Sequence, residues 1–301
     1  MYLKHFDIRE MPFSITPDTH YFYNYGSYQE ALNVLLVALR SGEGFIKISG
    51  EVGTGKTLLC RKVLNTLDDH FVTAWLPNPC LTSAGLRMAL ADELDIKYAR
   101  NMGQHRLLSL INDRLVELNA EGKQVVLFLD EAQALPDDSM EALRLLTNLE
   151  TEKNKLLQVV LFGQPELNER LAQNKLRQLR QRITFSQELE AIDINGIEGY
   201  LAHRLLVAGY HGTPLFNQNT VKRLHHISQG VPRVINILAH KMLMVAYGQG
   251  ASNITLQHLQ LAAEDTDGIT PLPASGFSRM GTTIVSAMGA AAAAAAISLG
   301  A

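Results

Sequence analysis

Eight consecutive residues, Gly50-Glu51-Val52-Gly53-Thr54-Gly55-Lys56-Thr57, follow the spacing G-x-x-x-x-G-K-[ST] in full, and they restrict the fold more than any other stretch. Such a loop works only where a strand ends and a helix begins. Glycines let the backbone curl so that successive N–H groups point inward at an anion, and the helix N-terminus adds its dipole. Both neighbours are present: the apolar run Phe45-Ile46-Lys47-Ile48 reads as a strand, and a helix is predicted from about Lys56 to Leu67. Lys56 supplies a mobile cation to the β- and γ-phosphates of a nucleotide, and the Thr57 hydroxyl supplies a ligand for Mg²⁺. The whole loop, Gly50 to Thr57, is therefore the candidate binding element for ATP.

A second apolar run, Val125 to Leu129, ends in Asp130-Glu131. An uninterrupted run suits a strand buried on both faces, as a parallel sheet requires. At its carboxyl end Asp130 is placed to hold Mg²⁺, usually through water, and Glu131 to polarise an attacking water. Three more strands are predicted at Val72–Leu76, Leu157–Phe162 and Ile183–Leu189, with helices between. Strands alternating with helices imply an α/β, doubly wound parallel sheet of five strands. From about Ala191 only helical patterns follow, at Gly196–Val207, Asn217–Ser228, Pro232–Tyr247 and Thr255–Glu264. The expected organisation is an N-terminal arm and helix (1–44), a phosphate-binding α/β core (45–190), a small all-helical lid (191–267), a linker (268–280) and an apolar Ala-rich tail (281–301). The arm to Gly26 is expected to be irregular, with Ser27 and Glu30 forming a capping box for the next helix.

Composition narrows the partners. A net charge of −3 offers no bulk attraction for nucleic acid, so a nucleic-acid partner is not expected. Cys60 and Cys80 form no CxxC pair, which fits a reducing compartment rather than a disulfide framework. The first ten residues carry Lys4, Asp7, Arg9 and Glu10, unlike a secretory signal. The tail from Gly281 has no charge and is long enough to cross a hydrocarbon core, though its Ala-rich composition gives insertion little driving force.

Three further positions suit ATP hydrolysis. Gln164 follows the fourth strand and is placed to orient water against the γ-phosphate. Arg177, Arg180 and Arg182 precede the fifth strand, where one of them is placed to reach a neighbouring subunit's nucleotide as an arginine finger. Arg233 falls in the first turn of a helix opened by Pro232, where a cation opposes the macrodipole and suggests an outside partner such as a phosphate.

Together these residues resemble the AAA+ ATPases of the ExeA/GspA type, which assist secretion systems and type IV pili, including the MSHA pilus. The resemblance covers about residues 1–268. It rests on Tyr2-Leu3-Lys4-His5-Phe6, Pro12-Phe13, Thr16-Pro17-Asp18, the loop Gly50–Thr57, Leu129-Asp130-Glu131-Ala132-Gln133, Gly163-Gln164-Pro165-Glu166-Leu167 and Gly230-Val231-Pro232-Arg233. It implies an ATPase with ATP and Mg²⁺, working as a homo-oligomer with pilus or secretion assembly proteins. It further implies Gln164 as sensor 1, Arg233 as sensor 2, and Arg182 as the arginine finger with Arg180 as the alternative. The implied location is the cytoplasm, peripheral to the inner membrane or anchored there by the C-terminal segment. The alternative is a DNA-associated AAA+ ATPase of the transposition type, which shares the same core.

Overall fold

The computed structural model describes residues 2–99, 101–150 and 155–269. The linker from 270 and the tail 281–301 lie outside the described residues. The arm is less irregular than its composition suggests, with a short helix α1 (Tyr2–His5) and a 3-10 turn at Thr19–Tyr21. Next come α2 (Ser27–Arg40), β1 (Phe45–Gly50), α3 (Lys56–Leu64), β2 (Phe71–Leu76), α4 (Ser83–Glu93), α5 (Gln104–Ala120) and β3 (Gln124–Leu129). The core continues with α6 (Asp137–Leu146), β4 (Leu157–Gly163), α7 (Glu166–Leu171), α8 (Arg177–Arg180) and β5 (Phe185–Leu189). Four helices complete the described chain: α9 (Gly196–Val207), α10 (Gln218–Ser228), α11 (Pro232–Gly248) and α12 (Leu256–Glu264). None of these helices is long and apolar enough to cross a membrane.

All five strands are parallel, in the order β2-β3-β4-β1-β5. The period-two geometry of a strand sends neighbouring side chains to opposite faces. Val125, Leu127 and Leu129 of β3 pack with α4–α8 on one face, while Val126 and Phe128 pack with α2, α3 and the arm on the other. That double burial explains the unbroken apolar run. It also places the carboxyl ends of β3, β4 and β1 side by side, so Asp130, Gln164 and the glycine loop meet at one edge of the sheet.

The expected capping box at Ser27 does not form. Gly26 is the cap, Ser27 is already helical, and its Oγ instead accepts from the Glu190 N–H at 3.1 Å. A tertiary bond to the end of β5 thus replaces a local one. The arm itself packs against the lid: the Tyr2 hydroxyl lies 3.0 Å from His240 Nδ1 of α11, and buried Arg204 of α9 bonds the carbonyls of Pro12 and Ser14.

Candidate active site

The loop after β1 turns left-handed at Gly53 (φ 82°) and Gly55 (φ 95°), a conformation that a side chain disfavours. At Gly53 there is also no room, because a Cβ would stand 2.7 Å from the Cβ of Arg233. Thr54, nearly fully buried, donates its hydroxyl to the Glu51 carbonyl at 2.8 Å and closes the turn. Lys56 Nζ folds back to donate to the carbonyls of Gly50 (2.7 Å) and Glu51 (2.9 Å). Burial pushes the Lys56 pKa down, against the pull of the Glu131, Asp130 and Glu51 carboxylates.

The Thr57 hydroxyl donates to Asp130 Oδ2 at 2.6 Å. Asp130 is 2% exposed and forms no ion pair among the described residues. Burial raises its pKa, partly offset by the bonds from Thr57 and the Glu131 N–H. These hard oxygens fit Mg²⁺, which is commonly held by one or two carboxylates together with phosphate and water. No cluster of three or more His, Cys, Asp or Glu side chains among the described residues suggests another metal site.

A measurable consequence follows from the sign of the Asp130 shift. Its folded pKa lies above the unfolded value, so the folded state prefers the protonated acid. Stability falls as pH rises through that raised value, and the loss persists at neutral pH. Asp130→Asn should therefore raise the melting temperature of the nucleotide-free protein. The same variant should show less stabilisation by ATP with Mg²⁺ than the wild type, and thermal melts with and without ligand check both expectations.

Glu131 sits in the left-handed region at φ 52°, a conformation that costs a non-glycine residue about 1 kcal/mol or more. Its Oε2 accepts two amide donors, Gln164 Nε2 at 2.9 Å and Gln133 Nε2 at 2.5 Å. Gln133 Oε1 in turn accepts from the Gln164 backbone N–H at 3.0 Å. One carboxylate oxygen is thus tied to the end of β4, while Oε1 has no hydrogen-bond partner among the described residues.

Val52, Gly53, Gly55, Lys56, Thr57, Glu131 and Arg233 line one cavity of about 280 Å³. Gly50, Glu51 and Thr54 shape the loop, Asp130 stands behind Thr57, and Gln164 reaches the cavity through Glu131. Pro232 opens α11, and the Arg233 N–H donates to the Gly53 carbonyl at 3.2 Å, so the lid touches the loop directly. The two finger candidates lie elsewhere and differ from each other. Arg182 is half-buried and donates to Thr147 Oγ1 (3.1 Å) and the Arg144 carbonyl (3.3 Å) at the end of α6. The Arg180 side chain is exposed and has no hydrogen-bond or ion-pair partner among the described residues.

Two groups of residues escaped the sequence reading as site residues. Gln133 was visible in the run after β3, two positions beyond Glu131, but without a role. The same cavity is also lined by Ser14 to Asp18 of the arm and by Tyr200, Arg204 and Asn236 of the lid. Only Thr16-Pro17-Asp18, as part of the resemblance, marked any of these.

Known proteins are similar to this chain in fold and in sequence. A family described as "AAA domain" matches residues 39–171. The fold is similar to that of the Aeropyrum pernix ORC2 protein in its ADPNP-ADP complexes (TM-score 0.62, 15% identity, 84% of this chain and 72% of that one). It is also similar to Cdc6p of Pyrobaculum aerophilum (TM-score 0.63, 18% identity, 82% and 70% covered). This is the AAA+ P-loop fold. At these identities the two structures speak for the AAA+ fold alone. In sequence, the chain is 42% identical over 269 residues to general secretion pathway protein A of Aeromonas hydrophila, covering 89% of this chain. The chain spans about half the length of that relative (49%).

Proposed function

We propose that this chain binds ATP with Mg²⁺ and hydrolyses it as an oligomeric ATPase that serves assembly of a bacterial envelope machine, a secretion system or a type IV pilus of the MSHA kind. The observation that carries the chemistry is Glu131, held by two amides through Oε2 and lining the cavity that Lys56 and Thr57 also line. Lys56 swings from the loop carbonyls to the phosphates, exchanging two neutral acceptors for charged ones. Loop N–H groups and the start of α3 hold the phosphate oxygens. Glu131 takes a proton from the attacking water, and Gln164 orients that water while its own amide stays tied to Glu131. Thr57 and Asp130 would hold Mg²⁺, which would supply positive charge to offset that of the phosphates. Arg233 senses the γ-phosphate from the lid. The base occupies the end of the cavity lined by the arm and by Tyr200, Arg204 and Asn236.

The link to secretion rests on the relative from Aeromonas hydrophila, and it favours a location at the cytoplasmic face of the inner membrane. The DNA-associated reading draws only on likeness of fold, and the net charge of −3 gives it no support.

Direct measurement of ATP binding and phosphate release tests the reading. Lys56→Ala removes a cation that makes at least two bonds to phosphate, so affinity should fall about 100-fold or more. Wild-type protein that releases no phosphate with ATP and Mg²⁺, at any protein concentration, would overturn the ATPase assignment.

A further inference from the structure

Arg204 is 4% exposed, yet no carboxylate lies within ion-pair distance of it among the described residues. A desolvated cation needs acceptors. It finds them in the arm: Nε donates to the Pro12 carbonyl at 2.5 Å and a terminal nitrogen to the Ser14 carbonyl at 3.2 Å. The other terminal nitrogen donates to the Tyr200 hydroxyl at 3.2 Å, and the guanidinium lies 4.6 Å from the Tyr21 ring centre. Tyr200 in turn donates to Asn236 Oδ1 at 2.9 Å, which ties the group to α11.

The far end of the same segment is held from the core. Arg61 of α3 donates to the Pro17 carbonyl at 2.9 Å, with its guanidinium 5.6 Å from the Trp75 ring centre. Residues 14 to 18 therefore hang between two guanidiniums, one on the lid and one on the helix that carries Lys56 and Thr57. This suspended stretch lines the same cavity as the phosphate loop. Within it, the Thr16 N–H is taken by Ser14 Oγ, whereas the carbonyls of Ile15 and Thr16 have no partner among the described residues. Neither arginine side chain bonds the loop Gly50–Thr57.

We infer that Arg61 and Arg204 are positioning residues for base selection, clamping the arm so that its free carbonyls face the base of a purine nucleoside triphosphate. The inference rests on the ATP-binding reading above. A purine 6-amino group donates to such carbonyls, and a 6-oxo group in its place leaves them unpaired and repels them. Loosening the clamp lets the arm drift without touching the phosphate contacts.

The test compares fluorescently labelled ATP, labelled GTP and inorganic tripolyphosphate as ligands of the full chain. Wild-type protein should prefer ATP to GTP. Arg61→Ala should lose about tenfold in ATP affinity, the value of one charge-assisted hydrogen bond, with GTP and tripolyphosphate binding unchanged. Arg61→Lys, able to make the single bond to Pro17, should restore most of the preference. Arg204→Lys, unable to span Pro12, Ser14 and Tyr200 with one ammonium, should not restore it. Melting curves establish that each variant is folded, and Arg61, only half-buried, keeps the test usable should Arg204 variants fail to fold. An equal loss for all three ligands, an unchanged ATP preference in folded Arg61→Ala, or a wild type without preference would overturn the clamp. Wild-type protein that binds none of the three ligands would instead remove the nucleotide-site reading itself.

Discussion

Exchanging Glu131 for glutamine should stop phosphate release while ATP stays bound. The expected loss in turnover is about 10²–10⁴-fold, the usual contribution of a positioned base. The amide keeps the size of the side chain and can still meet Gln133 and Gln164, but it no longer takes a proton from water. Ground-state binding depends on Lys56 and the loop N–H groups, so ATP affinity should hold while turnover collapses, the signature of an interaction made only in the transition state. Equilibrium binding and single-turnover phosphate release separate the two. Gln133→Ala is the companion variant: it removes one of two donors to Oε2 and should slow turnover about tenfold, by the loss of roughly one hydrogen bond. Turnover like that of the wild type in Glu131→Gln would remove the residue from catalysis.

Arg180→Ala should abolish hydrolysis at every protein concentration, by about 10³–10⁵-fold if the side chain acts as a finger across a subunit boundary. The resemblance favours Arg182 for that role, but the geometry favours its neighbour. Arg182 is engaged with Thr147 and the Arg144 carbonyl, whereas the Arg180 side chain is exposed and unengaged. We therefore expect Arg182→Ala chiefly to loosen the end of α6 and lower the melting temperature. In the wild type, activity per subunit should rise with concentration as subunits associate. Phosphate release across a concentration series for the three proteins decides the matter. Turnover that is flat with concentration and intact in Arg180→Ala would rule out a finger at this position.

The core was legible because its signals are local. The runs Val125–Leu129 of β3 and Val159–Phe162 of β4 are apolar throughout since both faces of each strand are covered, and the loop Gly50–Thr57 declares its own geometry. Asp130 and Glu131 could be read for the same reason, as acids ending a buried strand. What escaped depends on contacts far apart in the chain. Ser27 looked like a cap because Glu30 follows it, yet its hydroxyl serves Glu190, 163 positions away. The partner of Arg182 lies on a helix 35 positions earlier, so nothing around residues 177–182 could rank the arginines. Arg204 resembles any cation on a helix until the carbonyls of Pro12 and Ser14 come into view, 192 and 190 positions upstream.

The bond between Tyr2 and His240 spans 238 positions, and it sets a schedule for biosynthesis. The arm leaves the ribosome well before α11 and cannot reach its resting place until α11 has been made. At roughly 5–20 residues per second, that wait is on the order of ten to fifty seconds. Throughout it Tyr2, Phe6, Phe13, Tyr21 and Phe22, all buried in the finished protein, have no native surface on the lid to cover them. The nascent chain thus presents an aromatic segment during that wait, a natural handle for a chaperone that binds unfolded chains.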